Sequence, residues 1–236
     1  MNNLICRAKM GTSGVTFESA ISSGTLSQQI LQDKQYGYMR PKNGIITYAI
    51  LNGDAELTEK QVSDAVHRAF YKWMVHTKID FVQVSPKSNP DITIRFSTEA
   101  EDENLDPQTI AYMGYPMYGN IFYGVCVINK RFVYSLDGNP ISGRRMMELG
   151  FQVQFPDGQY STVDLDVVLY HEFGHGVFGL PHDPEPDNGM AYRYDLMSEL
   201  PSFRDVARAT AKAPARNWPA RFKEQVLKWL HRWSDS

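Results

Sequence analysis

Hydrophobic and polar positions alternate along the chain with two different periods, and each period predicts a type of element. An apolar, β-branched run covers residues 45–51 between two Asn-Gly pairs, which is typical of a buried strand bounded by turns. Residues 81–84 and 91–96 alternate apolar and polar side chains, which predicts two further strands. Residues 119–129 are another strand candidate, with glycines that indicate bulges.

The helical period occurs in three segments. Thr58 and Gln61 have the spacing of a capping box and open a segment with one apolar face, so we predict an amphipathic helix over about 58–75. Apolar residues at intervals of four predict a second main helix over about 163–178. Residues 222–233 predict a C-terminal helix that docks on the core. A strand, a helix and more strands in close succession favour helices packed on a sheet.

Composition limits the class of protein. The chain has 236 residues, of which 42% are hydrophobic and 22% charged, as in a globular protein with one principal core. Residues 1–36 are rich in Ser, Gly, Thr and Gln, so we predict a flexible leader or short pro-segment-like extension before one domain over 37–236. We expect no transmembrane segment, because no apolar run approaches roughly 18 residues. A secretory signal is not visible either, so the compartment stays open.

Charge and cysteine content exclude some functions and leave one open. A net charge of −3 gives no overall attraction to nucleic acid, which we expect not to be a partner. Residues 204–232 nevertheless hold an excess of cations, so binding of nucleic acid or a membrane surface by this tail is an alternative function. Cys6 and Cys126 imply no disulfide framework, and we expect two free thiols.

The stretch HEFGHGVFGLPHD, which begins at His171, carries the clearest chemistry. On a helix His171 and His175 lie one turn apart, so both imidazoles can reach one ion, and Glu172 projects beside them. Gly179 can end the helix and turn the chain so that His182 completes a three-histidine set. A catalytic zinc takes three protein ligands and leaves the fourth position to a water, whose proton a nearby carboxylate can accept.

This motif, followed by a methionine in YDLMSEL, resembles the metzincin pattern, and the matrixin branch (matrix-metalloproteinase-like) fits best. The resemblance extends from about residue 40 to Met197. It implies an α+β, zincin-like fold with a twisted mixed sheet whose edge strand, residues 119–129, holds the substrate. It also implies a zinc-dependent endopeptidase acting on extended polypeptides, and assigns site residues as follows: zinc ligands His171, His175 and His182, general base Glu172, Met-turn residue Met197.

Two departures from the matrixin pattern bear on the metal. Three residues separate His175 from Gly179, whereas the family motif has two. One extra helical residue rotates the exit by about 100°, so Asp183 is an alternative to His182 as third ligand. Residues 77–170 contain no histidine, so we expect a single catalytic zinc and no second, structural one.

Other features leave alternatives open. The acidic stretch STEAEDENLD could hold Ca²⁺, but it lacks a regular ligand spacing, and a solvated loop is the favoured interpretation. The latency motif PRCGxPD of animal matrixins is absent; Cys6 or Asp33 could cap the metal, and solvated polar residues are the alternative for both. The extra residue motivates a rival function, a catalytically impaired binding module with the same fold. We expect a monomer whose partner is a protein or peptide substrate.

Overall fold

A computed structural model shows the fold of most of the region from residue 37 to residue 213. It describes the backbone of residues 5–9 and, in full, residues 37–39, 41, 43–107, 109–114, 124–136, 163–183, 188–191 and 201–213. Several predicted features lie outside these residues: the side chains of Cys6 and Asp33, Met197, and the C-terminal helix over 222–233.

The described residues form eight strands and three α-helices. The strands are β1 (Ile5–Lys9), β2 (Ile45–Ile50), β3 (Asp80–Gln83), β4 (Ile92–Ser97), β5 (Thr109–Gly114), β6 (Gly124–Asn129), β7 (Tyr134–Ser135) and β8 (Val163–Asp164). The helices are α1 (Glu59–Met74), α2 (Leu165–Phe178) and α3 (Phe203–Thr210). A single 3₁₀ turn covers Pro86–Ser88. Within the described part of the chain, no helix has the length and apolar character needed to cross a bilayer.

Six strands make one mixed sheet in the order β1-β5-β6-β4-β2-β3. Strands β6, β4, β2 and β3 pair in parallel. Strand β5 runs antiparallel to β6, and β1 lies on its other side, parallel to it. The mixed sheet with its two main helices confirms the predicted α+β, zincin-like class. The shorter β7–β8 pair leads the chain into α2.

The prediction that residues 119–129 form the edge strand is wrong. The part of that segment described here, β6, lies inside the sheet, where Cys126 pairs with Ile94 of β4 on one side and with Met113 of β5 on the other. Sheet order depends on pairing between distant segments, which the period of a single strand does not encode. Strand β5 lies next to β6, and β1 pairs with the other side of β5 at this end of the sheet.

Local signals explain why the first elements form where they do. Asn43 and Gly44 both have positive φ and turn the chain into β2, where the side chains of Ile46 and Tyr48 are buried. Helix α1 begins after Thr58, whose side chain accepts from the backbone of Gln61 while the Gln61 side chain accepts from Thr58. The helix therefore starts where the capping box predicts it.

The core lies where α1 crosses α2 above the sheet. Phe70 of α1 stacks on Phe173 of α2, with ring centroids 3.8 Å apart, and on Phe81 of β3 at 4.1 Å. The Trp73 indole donates a hydrogen bond of 2.9 Å to the Tyr170 carbonyl. These contacts fix α2 from one side, because large aromatic side chains bury much apolar area where they pack together. The helix that carries the histidines is therefore held by the main core.

One strand belongs to the segment predicted as a leader. The backbone of β1 pairs with β5 in the register Ile5↔Thr109 to Lys9↔Gly114 and also approaches α2. The division into a leader over 1–36 and a domain over 37–236 stays a prediction.

Candidate metal centre

Helix α2 has a defined beginning and end. Asp164 caps its N-terminus, accepting from the backbone nitrogens of Asp166 and Val167. Gly179 ends it in the left-handed conformation at φ 59°, and the Leu180 nitrogen donates to the Gly174 carbonyl. The extra residue of the motif is thus absorbed by continuing the helix through Phe178 before the turn.

The turn brings the three histidines together. The Nε2 atom of His175 lies 2.9 Å from that of His171 and 3.2 Å from that of His182. Within the residues that the structure describes, these three form the group whose ligand atoms could hold one metal ion, all within 4.8 Å of one another. His171 and His175 are fully buried, whereas His182 is half-buried. The geometry places the three predicted ligands around one point; their role as ligands stays a prediction.

Hydrogen bonds at the other ring nitrogen select the tautomer that a metal requires. His171 Nδ1 lies 2.6 Å from the Gly189 carbonyl oxygen, and His175 Nδ1 lies 2.5 Å from that of Leu180. A carbonyl oxygen only accepts, so each Nδ1 carries the proton and each Nε2 is unprotonated. Burial lowers the pKa of His171 to about 4 and that of His175 well below its usual value. Both rings are neutral at neutral pH.

The carbonyl that orients His171 is itself held by α3. The Gly189 nitrogen donates a hydrogen bond of 2.9 Å to Asp205 Oδ2, while the Gly189 oxygen accepts from His171. Asp205 also caps α3 with Ser202. The third helix therefore reaches His171 through a single residue, Gly189.

Asp183, the alternative third ligand, has another partner. Its side chain is fully buried, and Oδ2 accepts from Arg208 at 3.2 Å and from Arg204 at 3.3 Å. Its backbone nitrogen donates to the Met190 carbonyl at 2.7 Å. The carboxylate is thus committed to two guanidinium groups, whereas the imidazole of His182 stands beside the other two histidines. This arrangement favours His182 over Asp183.

A methionine that the sequence analysis did not single out, Met190, packs against α2 at Gly174, the residue before His175. A Cβ atom on Gly174 would lie 2.3 Å from Met190 Sδ, so a glycine is needed where the thioether crosses α2. Met190 is fully buried. Its position directly after Asn188-Gly189 was the available signal, since that pair predicts a turn. The predicted Met-turn residue, Met197, lies outside the described residues, so its position stays a prediction.

Glu172 lies between the two histidines of α2 in sequence, and its side chain is fully buried. Burial raises the pKa of the Cys126 thiol well above its usual value, and the negative charge of Glu172 is a second, smaller cause. The carboxylate is therefore close to β6, on the side of α2 that faces the sheet. Its catalytic role is not tested by these contacts.

One carboxylate of the acidic loop before β5 is buried, while Glu101 and Glu103 are exposed. Asp102 is buried and accepts from the Tyr112 hydroxyl and the Arg95 guanidinium, both at 2.6 Å, and from Asn104 at 2.9 Å. These donors occupy the carboxylate oxygens that a Ca²⁺ ion would need. The network ties the loop to β4 and β5, which gives the acidic residue a structural role.

Comparison with known proteins bears on the same region. No curated protein matches the chain. The family model Peptidase_M10, described as matrixin, matches residues 40–205, which is well over half of the chain and includes the whole histidine motif. The match supports a zinc metallopeptidase-type domain. With its mixed sheet, its HExxH helix and its three converging histidines, the chain belongs to the matrixin family.

Proposed function

We propose that the chain is a zinc-dependent endopeptidase that hydrolyses peptide bonds in extended polypeptides. The observation that carries this proposal is the approach of three imidazole Nε2 atoms to one point, two of them from the HExxH helix. Family membership supports the same reaction class.

The donor set suits zinc. Three imidazoles, of which His171 and His175 have their Nδ1 proton engaged by a carbonyl, form the three-ligand arrangement of catalytic zinc sites, which leaves one position open. Softer or more oxygen-rich sites would favour other metals. Zinc held there would acidify a water molecule and polarise the scissile carbonyl.

The remaining chemistry belongs to this chain's own residues. Glu172 is the proposed general base, whose carboxylate accepts a proton from the attacking water and transfers it to the leaving amine. His171 and His175 keep their orientation through Gly189 and Leu180, so the proposed base and two of the three proposed ligands are carried by one buried helix. A site supported on a helix keeps its geometry better than one on loops.

The structure changes the expected position of the substrate. Because β6 is inside the sheet, an extended substrate that adds main-chain hydrogen bonds would do so along β5, the strand beyond it. In the structure β1 already occupies that edge of β5. We therefore propose that residues 5–9 compete with substrate, in keeping with a pro-segment-like role for residues 1–36.

The described residues of the basic tail argue against the alternative function, which is binding of nucleic acid or a membrane surface. Arg208 is fully buried, Arg204 contacts Asp183, and Lys212 donates to the Gly179 carbonyl at 2.6 Å. These three cations bind the domain itself and are not displayed together to a phosphate backbone. We propose a monomer whose partner is a protein or peptide substrate.

Metal analysis tests the proposal. Purified protein reconstituted with zinc should hold about one ion per chain, because three ligands form one closed set. His175→Ala or His182→Ala should lower the affinity strongly in a chelator competition, while His67→Ala, an exposed histidine on α1, should not. Equal retention of zinc by His175→Ala and His67→Ala would refute the assigned centre.

A further inference from the structure

The segment that carries His182 lies outside any helix or strand, yet nearly every group around it is bonded. It runs from Gly179, where α2 ends, to Asp183, and we call it the ligand loop. The Gly179 carbonyl accepts from Lys212 at 2.6 Å and the Leu180 carbonyl from His175. One of these donors, Lys212, lies just after α3, a helix that contributes no predicted ligand.

Arg208 makes the most specific of these contacts. Its Nη2 donates a hydrogen bond of 2.7 Å to the Pro181 carbonyl, and its Nη1 lies 3.2 Å from Asp183 Oδ2. One guanidinium therefore binds the residue before His182 and the residue after it. The flat, forked guanidinium presents two separate nitrogens in a fixed geometry to the two acceptors, whereas lysine would have to reach both from one nitrogen.

Burying this arginine has a free-energy cost, because its charge is removed from water. Arg208 and the Asp183 side chain are both fully buried. Removing two charges from water is expensive, and their attraction offsets this only with good geometry and further hydrogen bonds. A pair that served stability alone could be replaced by apolar side chains of similar volume. Arg208 binds the backbone carbonyl of Pro181 before His182 and the carboxylate of Asp183 after it. Apolar side chains could not form these two directional contacts.

We propose that Arg208 is a positioning residue that holds His182 in the orientation needed for metal binding. The proposal rests on the proposed function, since it takes His182 as the third ligand. His171 and His175 are fixed by the helix and by carbonyl acceptors, but His182 is half-buried on a loop. Metal sites require ligands held within about 0.5 Å of the productive geometry, and Arg208 supplies that restraint from α3.

The test compares Arg208→Gln with variants matched to its contacts. Arg208→Gln should lower the affinity for Zn²⁺ or Co²⁺ in a chelator competition by about 10–100-fold, the usual effect of losing a partner that orients a ligand. Arg208→Lys keeps the charge but not the fork and should lose part of that affinity. If Arg208→Gln does not fold, the metal affinity of Arg208→Lys provides the test. Arg204→Gln removes a cation from the same Asp183 oxygen but leaves the Pro181 contact, so its effect should be smaller.

Arg68→Gln controls for the loss of a buried ion pair in general. Arg68 binds both carboxylate oxygens of Asp166 on α2 and is far in sequence from the ligand loop. This variant should lose thermal stability but keep the metal affinity of the wild type. A similar loss of affinity in Arg68→Gln and Arg208→Gln would mean that Arg208 acts only through stability, and would overturn the proposal.

Hydrogen exchange of metal-free protein separates this proposal from the proposed function. Amides of residues 179–183 should exchange faster in Arg208→Gln than in the wild type and Arg68→Gln, since α3 no longer restrains them. If the wild type bound no metal, the proposed function would fail while this comparison still decided whether Arg208 holds the loop. Unchanged exchange in a folded Arg208→Gln protein, or unchanged affinity for the metal, would overturn the proposal.

Discussion

At the scale of single residues, burial decides the chemistry of the centre. His171 and His175 stay neutral because a positive charge in the core is unfavourable, and a neutral imidazole is the form that binds a metal. The sequence predicted the three histidines and Glu172 from their spacing. It could not predict that Asp183 would pair with Arg208, because that contact joins residues 25 positions apart in sequence.

The cap of the metal-bearing helix gives a prediction that depends on pH. Burial, and then the charge of Asp166, raise the pKa of Asp164 from its usual value of 3.8 to about 6. The folded protein thus binds more protons here than the unfolded chain between these values, so this carboxylate lowers stability as pH rises through 6. Asp164→Asn keeps an oxygen for the two backbone donors of the cap and removes the charge.

Asp164→Asn should therefore raise the free energy of unfolding by about 1–2 kcal/mol at pH 7.5 and have little effect at pH 4, where both proteins are neutral at this site. Urea unfolding of metal-free protein at the two pH values measures the difference. If Asp164→Asn changes the free energy of unfolding equally at both pH values, Asp164 does not titrate in this range.

At the scale of elements, the close approach of α2 to the sheet depends on glycine. A Cβ atom on Gly176 would lie 2.2–2.4 Å from three side-chain atoms of Met113 on β5. Local periodicity predicted α1, α2 and the inner parallel strands, whose starts and ends carry capping and turn residues. It did not predict β5, and it did not place β6, because sheet order is decided by distant pairing.

Gly176→Ala should destabilise the protein by about 1–3 kcal/mol, the usual range for overpacking a core. Gly53→Ala is the matched control, since a Cβ atom there would meet nothing within 4 Å. Thermal unfolding of the two variants beside the wild type gives the comparison. Equal stabilities for both variants would mean that α2 can move away from β5 without loss.

The pairing of β1 with β5 gives a second prediction at this scale. Ala8→Pro removes a backbone donor from β1, and proline is poorly tolerated within a paired strand. If β1 competes with substrate, this variant and a chain without residues 1–36 should both hydrolyse peptides faster than the wild type. Initial rates on one extended peptide measure this. Rates equal to the wild type in both folded variants would separate β1 from the substrate site.

At the scale of the whole molecule, the centre is assembled from three separate parts of the chain. Helix α2 supplies two histidines and the ligand loop supplies the third. Helix α3 bonds to the loop through Arg208 and to Gly189 through Asp205. The extended histidine motif through His182, the methionine after it and the strand and helix segments before it were together sufficient to predict the family and the mixed α+β fold. The supporting role of α3 was not predictable, because its basic residues are typical of a solvated tail and only the fold shows that Arg208 is buried.

Peptide hydrolysis by Glu172→Gln tests the central claim most directly, because the account assigns to this one carboxylate the transfer of the water's proton. Glutamine keeps the size of the side chain but cannot accept that proton. The account predicts the zinc content of the wild type and a rate of hydrolysis lower by at least about 10²–10⁴-fold. Glu59→Gln, on the exposed first turn of α1, should keep the full rate. A zinc-loaded wild type without activity on a broad peptide library, or a Glu172→Gln variant with the full rate, would contradict it.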